Sequence, residues 1–585
     1  MTIKVPNVFV AGAIAKAEEV NENFNTLLDA INSQEETLDQ KLNTSLEEMN
    51  TLKTEILEEI EVTGVENKAN KNLDNVDWNN LSAETQKHFR AGAGLPPSIC
   101  RNMTIKEDGT AVKLSWQDPE DTILERQVLC TWGGTKIVKK LNSYPEDEDD
   151  GTLVVDSKVR NQYLDGEYSD TITEGEDWKY RAFPYSVNDV VCYDDKNKFT
   201  KAIVYEYYVN PNEKNPNLKI TRVPGSVNEN FINMGLGADN VFSMGDWGNS
   251  WVMQNMKPCM LKYNGEVAYY LNKQDYTYKA DGTASDVSNT AFGGNCMIEH
   301  GQYWVKLSAT DTGLIHVRIA NIKVDDSYKC FTHINNLGEL VEAIYLMAYQ
   351  PGLVDGKYRS LKGLSIHTNV AMATQRTYAQ ANGVGHDLMT IGQIFTLQLL
   401  TMLMTGTTDS QSALGKGRDS NNANATTGEM IGKGMFAGTK ATGGMIAFGT
   451  ENLFANYWKR VLGLMVKDGV FVLKLSYDTS DGSTVVGYNL DGTGFFNTGI
   501  SSVGANNSYI SKMQIVGGAC LVPTTIGGSA TTDYCDTLWQ TEGGSAVVGG
   551  DYGCGASCGL FCLSVDAAPS FASGHVGGSL SYIPQ

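Results

Sequence analysis

From about Ala13 to Ile60 the chain runs without proline and repeats apolar residues at three- and four-residue steps: Val20, Phe24, Leu27, Ile31, Leu38, Leu42, Met49, Leu52 and Ile56. Gln34 and Ser45 occupy core sites of the same register. The spacing predicts one long amphipathic helix whose apolar side chains share a seam. Glu and Asp crowd the remaining faces, so such a helix cannot bury its seam alone. A coiled coil between chains answers that need; a single helix packed on its own domain is the alternative. Two successive four-residue steps, ending at Leu38 and Leu42, slip the heptad as a stutter does. The mixed core residues Phe24, Gln34 and Ser45 do not choose between dimer and trimer.

The rest of the chain divides by composition. Residues 63–97 are polar and read as a neck or linker, closed by Leu95-Pro96-Pro97, which rejects helix. Over residues 98–209 the pattern turns to β: Ala111 to Trp116, Val128 to Thr131 and Trp178 to Phe183 alternate inward and outward. Short strands, polar turns and a strongly placed Trp suggest an immunoglobulin-like β-sandwich. The acidic run Glu146 to Gly151 lacks an ordered ligand spacing and reads as a solvated loop, not a calcium loop. Residues 210–585 show no clear linker and read as one large α+β domain, with a smaller subdomain over 210–283. Helices are expected at Ala371 to Asn382, Leu388 to Met404 and Asn452 to Trp458. Strands are expected at Glu266 to Leu271, Gln302 to Leu307, Ala343 to Tyr349 and Val470 to Tyr477. Gly406 to Gly444, rich in Gly, Thr, Asn and Ser, reads as a long surface excursion.

Charge and cysteine usage exclude several function classes. A chain of 585 residues should form several domains. Its formal net charge of −22, with no basic stripe, argues against a nucleic-acid partner. Eleven cysteines, an odd number, cannot all pair within one chain, and most are expected reduced. Met1 to Gly12 has no apolar core of a secretory signal, and Leu388 to Met404 reads as a buried helix, so no membrane insertion is expected. No HExxH, GxSxG, Walker-type or dinucleotide-binding pattern is present, and the seven histidines are dispersed. Cys554, Cys558 and Cys562 are four apart but sit among glycines and β-formers, without the paired spacing of a zinc site. No metal, cofactor or catalytic residue is therefore expected.

The last forty or so residues carry the strongest functional signal. Gly543-Gly544-Ser545 and Gly577-Gly578-Ser579-Leu580-Ser581-Tyr582 frame a stretch with neither helical period nor strand alternation. Glycines holding an incoherent set of side chains suggest a surface shaped for recognition. The candidate contact residues are Trp539, Val547, Val548, Asp551, Tyr552, Cys554, Cys558, Phe571 and His575. Trp539, Asp551, Tyr552, Phe571 and His575 lead that set, because aromatic groups supply contact area at low entropic cost. Trp116, Trp178 and Trp458 are expected in cores.

In three places the chain resembles the receptor-binding tail fibres of tailed bacteriophages. Val10-Ala11-Gly12-Ala13-Ile14 through Val20 to Leu27 is similar to the N-terminal segment of many phage fibres. Val112 to Trp116, with Trp178 to Tyr185, resembles the fibronectin type III modules of phage tails. Ala280 to Thr283, Met297-Ile298-Glu299, Ala348-Tyr349, Thr408 to Gln411, Phe448 to Asn452, Trp458 and the closing Gly577 to Tyr582 resemble phage C-type-lectin-like domains. The major tropism determinant and the formylglycine-generating enzymes share that fold. The resemblance implies an N-terminal virion-attachment segment and coiled coil over 1–62, a fibronectin III-like β-sandwich over 98–209, and a large α+β C-type-lectin-like receptor-binding domain over 210–585. It also implies a homotrimer on the virion, made in the host cytoplasm. Such a fibre is joined to other tail or baseplate proteins through its N-terminus and acts on a bacterial surface receptor, protein or glycan. In tropism-determinant relatives the last stretch is diversified by reverse transcription, and the mixed tail here would suit that history. Cys520 and Cys535 reproduce no recognisable catalytic pair, so no catalytic residue is carried over. The competing classes are a glycan-degrading tail enzyme and a purely structural fibre.

Overall fold

The computed structural model describes residues 95–585 apart from 109, 125–126, 174–175, 177, 421–422 and 476–487. The virion-attachment segment, the coiled-coil seam from Val20 to Ile56 and nearly all of the 63–97 neck lie outside the described residues.

The α+β expectation is corrected. Among the described residues the protein is mostly β, with 38% strand, 9% helix and four short helices. Part of the reason lies in the segment expected to be helical near Asn452 to Trp458. Asn452, Ala455 and Asn456 take left-handed backbone angles there (φ 48°, 57° and 61°), which an α-helix excludes. A strand begins directly at Trp458. The Gly406 to Gly444 excursion also contributes to the interior: Ser410–Leu414 is helical, and Leu414, Thr427, Met435 and Phe436 are buried.

The chain divides into two compact units. The first combines residues 95–101 with 117–162 and 176–198. Its sheet runs Thr152–Ser157, Trp132–Leu141, Trp178–Ser186, all antiparallel, beside a hairpin of Thr122–Leu124 and Gln127–Cys130. Ile137, Val138, Tyr180, Ala182 and Phe183 are fully buried in it. Buried Asp118 accepts from the Thr135 hydroxyl (2.6 Å) and the Asn161 amide (2.7 Å), so a carboxylate in the interior is satisfied. Trp178, expected in a core, is only half-buried; its indole donates to Glu176 at 2.9 Å and Lys139 lies over its ring. In the acidic run, Asp150 accepts from Lys140 (2.7 Å) and from the Glu146 amide (2.8 Å), a stapled turn.

The second unit comprises 102–116, 163–175 and 199–585. It holds a three-stranded sheet of Arg101–Asp108, Ala111–Gln117 and Tyr168–Thr171. A four-stranded sheet follows in the order Ile220–Arg222, Val204–Val209, Ile315–Ala320, Trp304–Ala309. A six-stranded sheet runs Val267–Tyr270, Met256–Lys262, Gly294–Gly301, Ala343–Met347, Ser581–Tyr582, His386–Asp387. The largest sheet has nine strands. Its main path is Phe496–Ser501, Val470–Leu473, Trp458–Lys467, Ser545–Val548, Leu563–Ala567, Thr537–Gln540, Ser508–Val516, Cys520–Ile526, and Val576–Gly577 pairs in parallel with Trp458–Lys467.

The longest helix among the described residues, Ile391–Thr405, explains how this unit closes. Every residue in it is buried, and it packs on Trp458–Lys467, Cys520–Ile526 and Val204–Val209. A helix apolar on all sides belongs in an interior. Its threonines are answered locally: Thr396, Thr401 and Thr405 donate to carbonyls four residues back. Thr390 and Gln393 form a reciprocal capping box, and Gly406 ends the helix at φ 67°. Each fully enclosed Leu contributes roughly 1.5–3 kcal/mol. Among the described residues no helix is long and apolar enough to cross a membrane.

Candidate functional site

The C-terminal segment gathers residues that sequence spacing leaves apart. Ser545–Val548 and Leu563–Ala567 are neighbouring strands of the nine-stranded sheet, and Val576–Gly577 adds in parallel beside Trp458–Lys467. The loops between them, 549–562 and 568–575, emerge together. Asp551 and His575 meet there: the imidazole Nδ1 lies 2.6 Å from the carboxylate Oδ2. A carboxylate only accepts, so Nδ1 carries the proton and faces inward. Tyr552 stacks on the same imidazole, with centroids 4.7 Å apart and planes at 21°, and its hydroxyl lies 3.3 Å from Nε2.

Asp551 is the organiser of this cluster. It is buried, and its Oδ1 also accepts from the Gly553 amide (2.8 Å) and the Cys554 thiol (3.1 Å). The Cys558 thiol donates to its backbone carbonyl at 3.0 Å. The Cys554 amide donates to the same carbonyl (3.1 Å), so five donors on one residue hold the 551–558 loop in shape, with a 3-10 turn at Gly555–Ser557. A second loop supports it from the side. The Tyr552 amide donates to Asn456 (3.0 Å), and the Gly555 amide donates to Asp419 (2.7 Å). Tyr457 meets the Tyr552 ring edge-on at 5.6 Å. Asn456 is itself locked by Asn424, whose amide and carbonyl both bond its carboxamide (2.8 and 2.9 Å).

Two consecutive buried basic side chains lie under the loops. Lys459 donates to the carbonyls of Ala455 (3.2 Å) and Tyr457 (2.9 Å), clamping the left-handed turn that carries Asn456. Burial draws its pKa down to about 7, opposed by Cys558 and Asp551. Arg460 donates to the Ser545 hydroxyl (3.4 Å) and to the Phe571 carbonyl. Neither residue was singled out from sequence. The available signal was a Lys-Arg pair inside the otherwise apolar run Trp458 to Val466.

The candidate contact residues therefore separate. Tyr552 is half-exposed; Phe571 and His575 are exposed, Phe571 at 47%. Cys554 is half-buried beside Asp551. Val547 and Val548 are corrected: at 2% and 4% exposure both are buried, Val547 in the small cluster with Trp458 and Val548 in the main core. Cys558 is fully buried and Asp551 nearly so, and both shape the loop from below. Trp539 is half-buried, edge-on to buried Trp458 at 5.4 Å, in a small cluster with Val547, Cys562 and Val576. All eleven cysteines are free. Among the described residues no group of three or more His, Cys, Asp or Glu is placed to hold a metal ion.

No protein-family model matches this chain, and no curated protein matches it either.

Proposed function

We propose that the protein is an adhesin of the phage tail-fibre kind, which holds a bacterial surface receptor with the loops 549–562 and 568–575. The observation that carries this reading is the stack of half-exposed Tyr552 on exposed His575, fixed from beneath by Asp551, with exposed Phe571 on the same 568–575 loop as His575. Aromatic faces that are already ordered offer area to a protein or a sugar ring at little further entropic cost. The same loops carry exposed Gly553 and Gly574, which let a partner's backbone approach closely. Supported by buried Val547, Val548 and Cys558, the loops resemble a rigid mount with a small variable crown. If the segment is diversified, changes are tolerated at Tyr552, Phe571 and His575 more readily than at the buried positions.

Binding can be modest per head and still hold a cell, because copies joined in one fibre gain by effective concentration. The fluorescently labelled full-length chain, mixed with a panel of bacterial strains, should adsorb to a defined subset. A folded protein that adsorbs to none would refute the adhesin reading. Release of sugar, or shortening of envelope polymers, during the incubation would replace it with an enzymatic one.

A further inference from the structure

Behind the exposed loops, five side chains present buried polar atoms that no protein group satisfies: Arg460 Nε, the Tyr358 hydroxyl, Gln350 Oε1, His367 Nδ1 and both carboxamide atoms of Gln375. Arg460, Tyr358 and Gln375 are fully enclosed and Gln350 almost so. Buried polar groups are nearly always paired, so unpaired ones grouped in one place call for a partner outside the chain.

These groups converge on one stretch of backbone. Gln350 donates from Nε2 to the carbonyls of Trp458 and Gly578, at 3.3 Å each. A Cβ added at Gly578 would lie 2.2 Å from the Tyr358 ring and 3.0 Å from its hydroxyl; one at Gly577 would lie 2.5 Å from Gln350 Nε2. Only glycine permits these approaches. Thr368, next to His367, bridges Gly577, and the His367 and Tyr358 rings are 5.8 Å apart. The Ser579 hydroxyl donates to the Arg460 carbonyl at 2.6 Å. Gln375 belongs to the helix Met372–Gln380, which packs on the strand Lys357–Arg359 that carries Tyr358.

Charge decides what kind of partner is missing. Arg460 has a hydroxyl and a carbonyl as partners, and no carboxylate pairs with it among the described residues. Burial lowers its pKa to about 10, so it is still a cation at neutral pH. Water can satisfy a stray N–H, but it does not neutralise an enclosed guanidinium. We propose that this cluster of unpartnered groups binds a small anion, of chloride or carboxylate size, on the Arg460 guanidinium with Tyr358 and Gln375 as neutral donors. Tyr358 O–H and the Gln375 NH2 are donors of the right kind, and Gln350 Oε1 is an acceptor suited to a water at the anion's edge. The site stands apart from the adhesion reading and survives its failure.

The test is thermal unfolding of the full-length chain at constant ionic strength. Sodium gluconate, a bulky and weakly coordinating anion, is the reference, and chloride, acetate or inorganic phosphate is titrated in its place. At least one of the three should raise the midpoint saturably by a few degrees, since a ligand bound only to the folded state stabilises it. Tyr358→Phe should raise the half-saturating concentration at least tenfold, and Arg460→Met should abolish the response. If Arg460→Met does not fold, Tyr358→Phe decides alone. Equal midpoints in all four anions, or a response that Tyr358→Phe leaves unchanged, overturn the proposal.

Discussion

Replacing Lys459 with methionine keeps the side chain's approximate volume and removes its ammonium from beneath the recognition loops. In the folded chain the lysine's pKa is about 7, drawn down by burial; in the unfolded chain it returns to about 10.4. Between those values the unfolded chain holds a proton that the folded chain does not. Stability therefore rises with pH across that window and is lost as pH falls back towards 7. At about pH 7 the two states differ by half a proton, and at about pH 8.5 by nearly a whole one; integration gives about 1.6 kcal/mol between them. Methionine also leaves the Ala455 and Tyr457 carbonyls without their donor, at roughly 1–3 kcal/mol each, while relieving the cost of enclosing a cation. Those opposed effects make the difference near pH 7 small, but they do not alter its pH dependence. In urea unfolding followed by tryptophan fluorescence, with Trp458 and Trp539 close to the change, the wild-type advantage should grow by about 1.6 kcal/mol from pH 7 to pH 8.5. Thiols that begin to titrate near the upper end act on both proteins and cancel in the difference. A wild-type-to-variant difference that stays constant over that range would refute the assignment of Lys459 as a buried, largely neutral amine.

Two further outcomes follow from buried groups. His333 is enclosed between Thr332 and the His300 carbonyl, and burial lowers its pKa to about 4. A folded-state value below the unfolded one means that stability present above about pH 6.5 is lost on acidification, about 2 kcal/mol by pH 5. His333→Gln should flatten the pH dependence of unfolding by that amount relative to wild type, measured by urea titration at both pH values. Val547→Ala should cost about 2 kcal/mol of stability, because Val547 is enclosed in a strand. Its adsorption to cells, measured on the folded fraction, should be unchanged, whereas a loss of adsorption at full stability would return Val547 to the contact surface.

How far the sequence foretold this molecule depended on the range of the interactions involved. The strands at Ala111–Gln117 and Trp178–Ser186, and the helix Ile391–Thr405, were readable because local features specify them. Alternation set Ala111–Gln117; Trp178–Ser186 is a strand too, but it is buried at every residue from Tyr180 onward instead of alternating, and the helix carries its own capping box and a terminal glycine. Val547 and Val548 misled because a four-residue strand, Ser545–Val548, is too short to show a period. Burial there comes from the flanking strands Trp458–Lys467 and Leu563–Ala567, both distant in sequence. The pairing of Asp551 with His575 likewise depends on two loops emerging from the same sheet. Gly577 and Gly578, read as a frame for recognition, are needed for close packing on Gln350 and Tyr358. Exposure of Tyr552, Phe571 and His575 was anticipated by residue type; the buried basic residues Lys459 and Arg460 beneath them were not.

The central claim is that the exposed Tyr552–His575 stack, with Phe571, is what the protein presents to a cell. Its most direct test is the adsorption isotherm of full-length Tyr552→Ala and His575→Ala chains on a strain that the wild type binds. Both variants should retain the wild-type unfolding midpoint within a degree or two, and their half-saturating concentrations should rise at least tenfold, equivalent to about 1.4 kcal/mol or more per site. Wild-type adsorption by both stably folded variants would contradict the claim and place the receptor contact elsewhere on the chain.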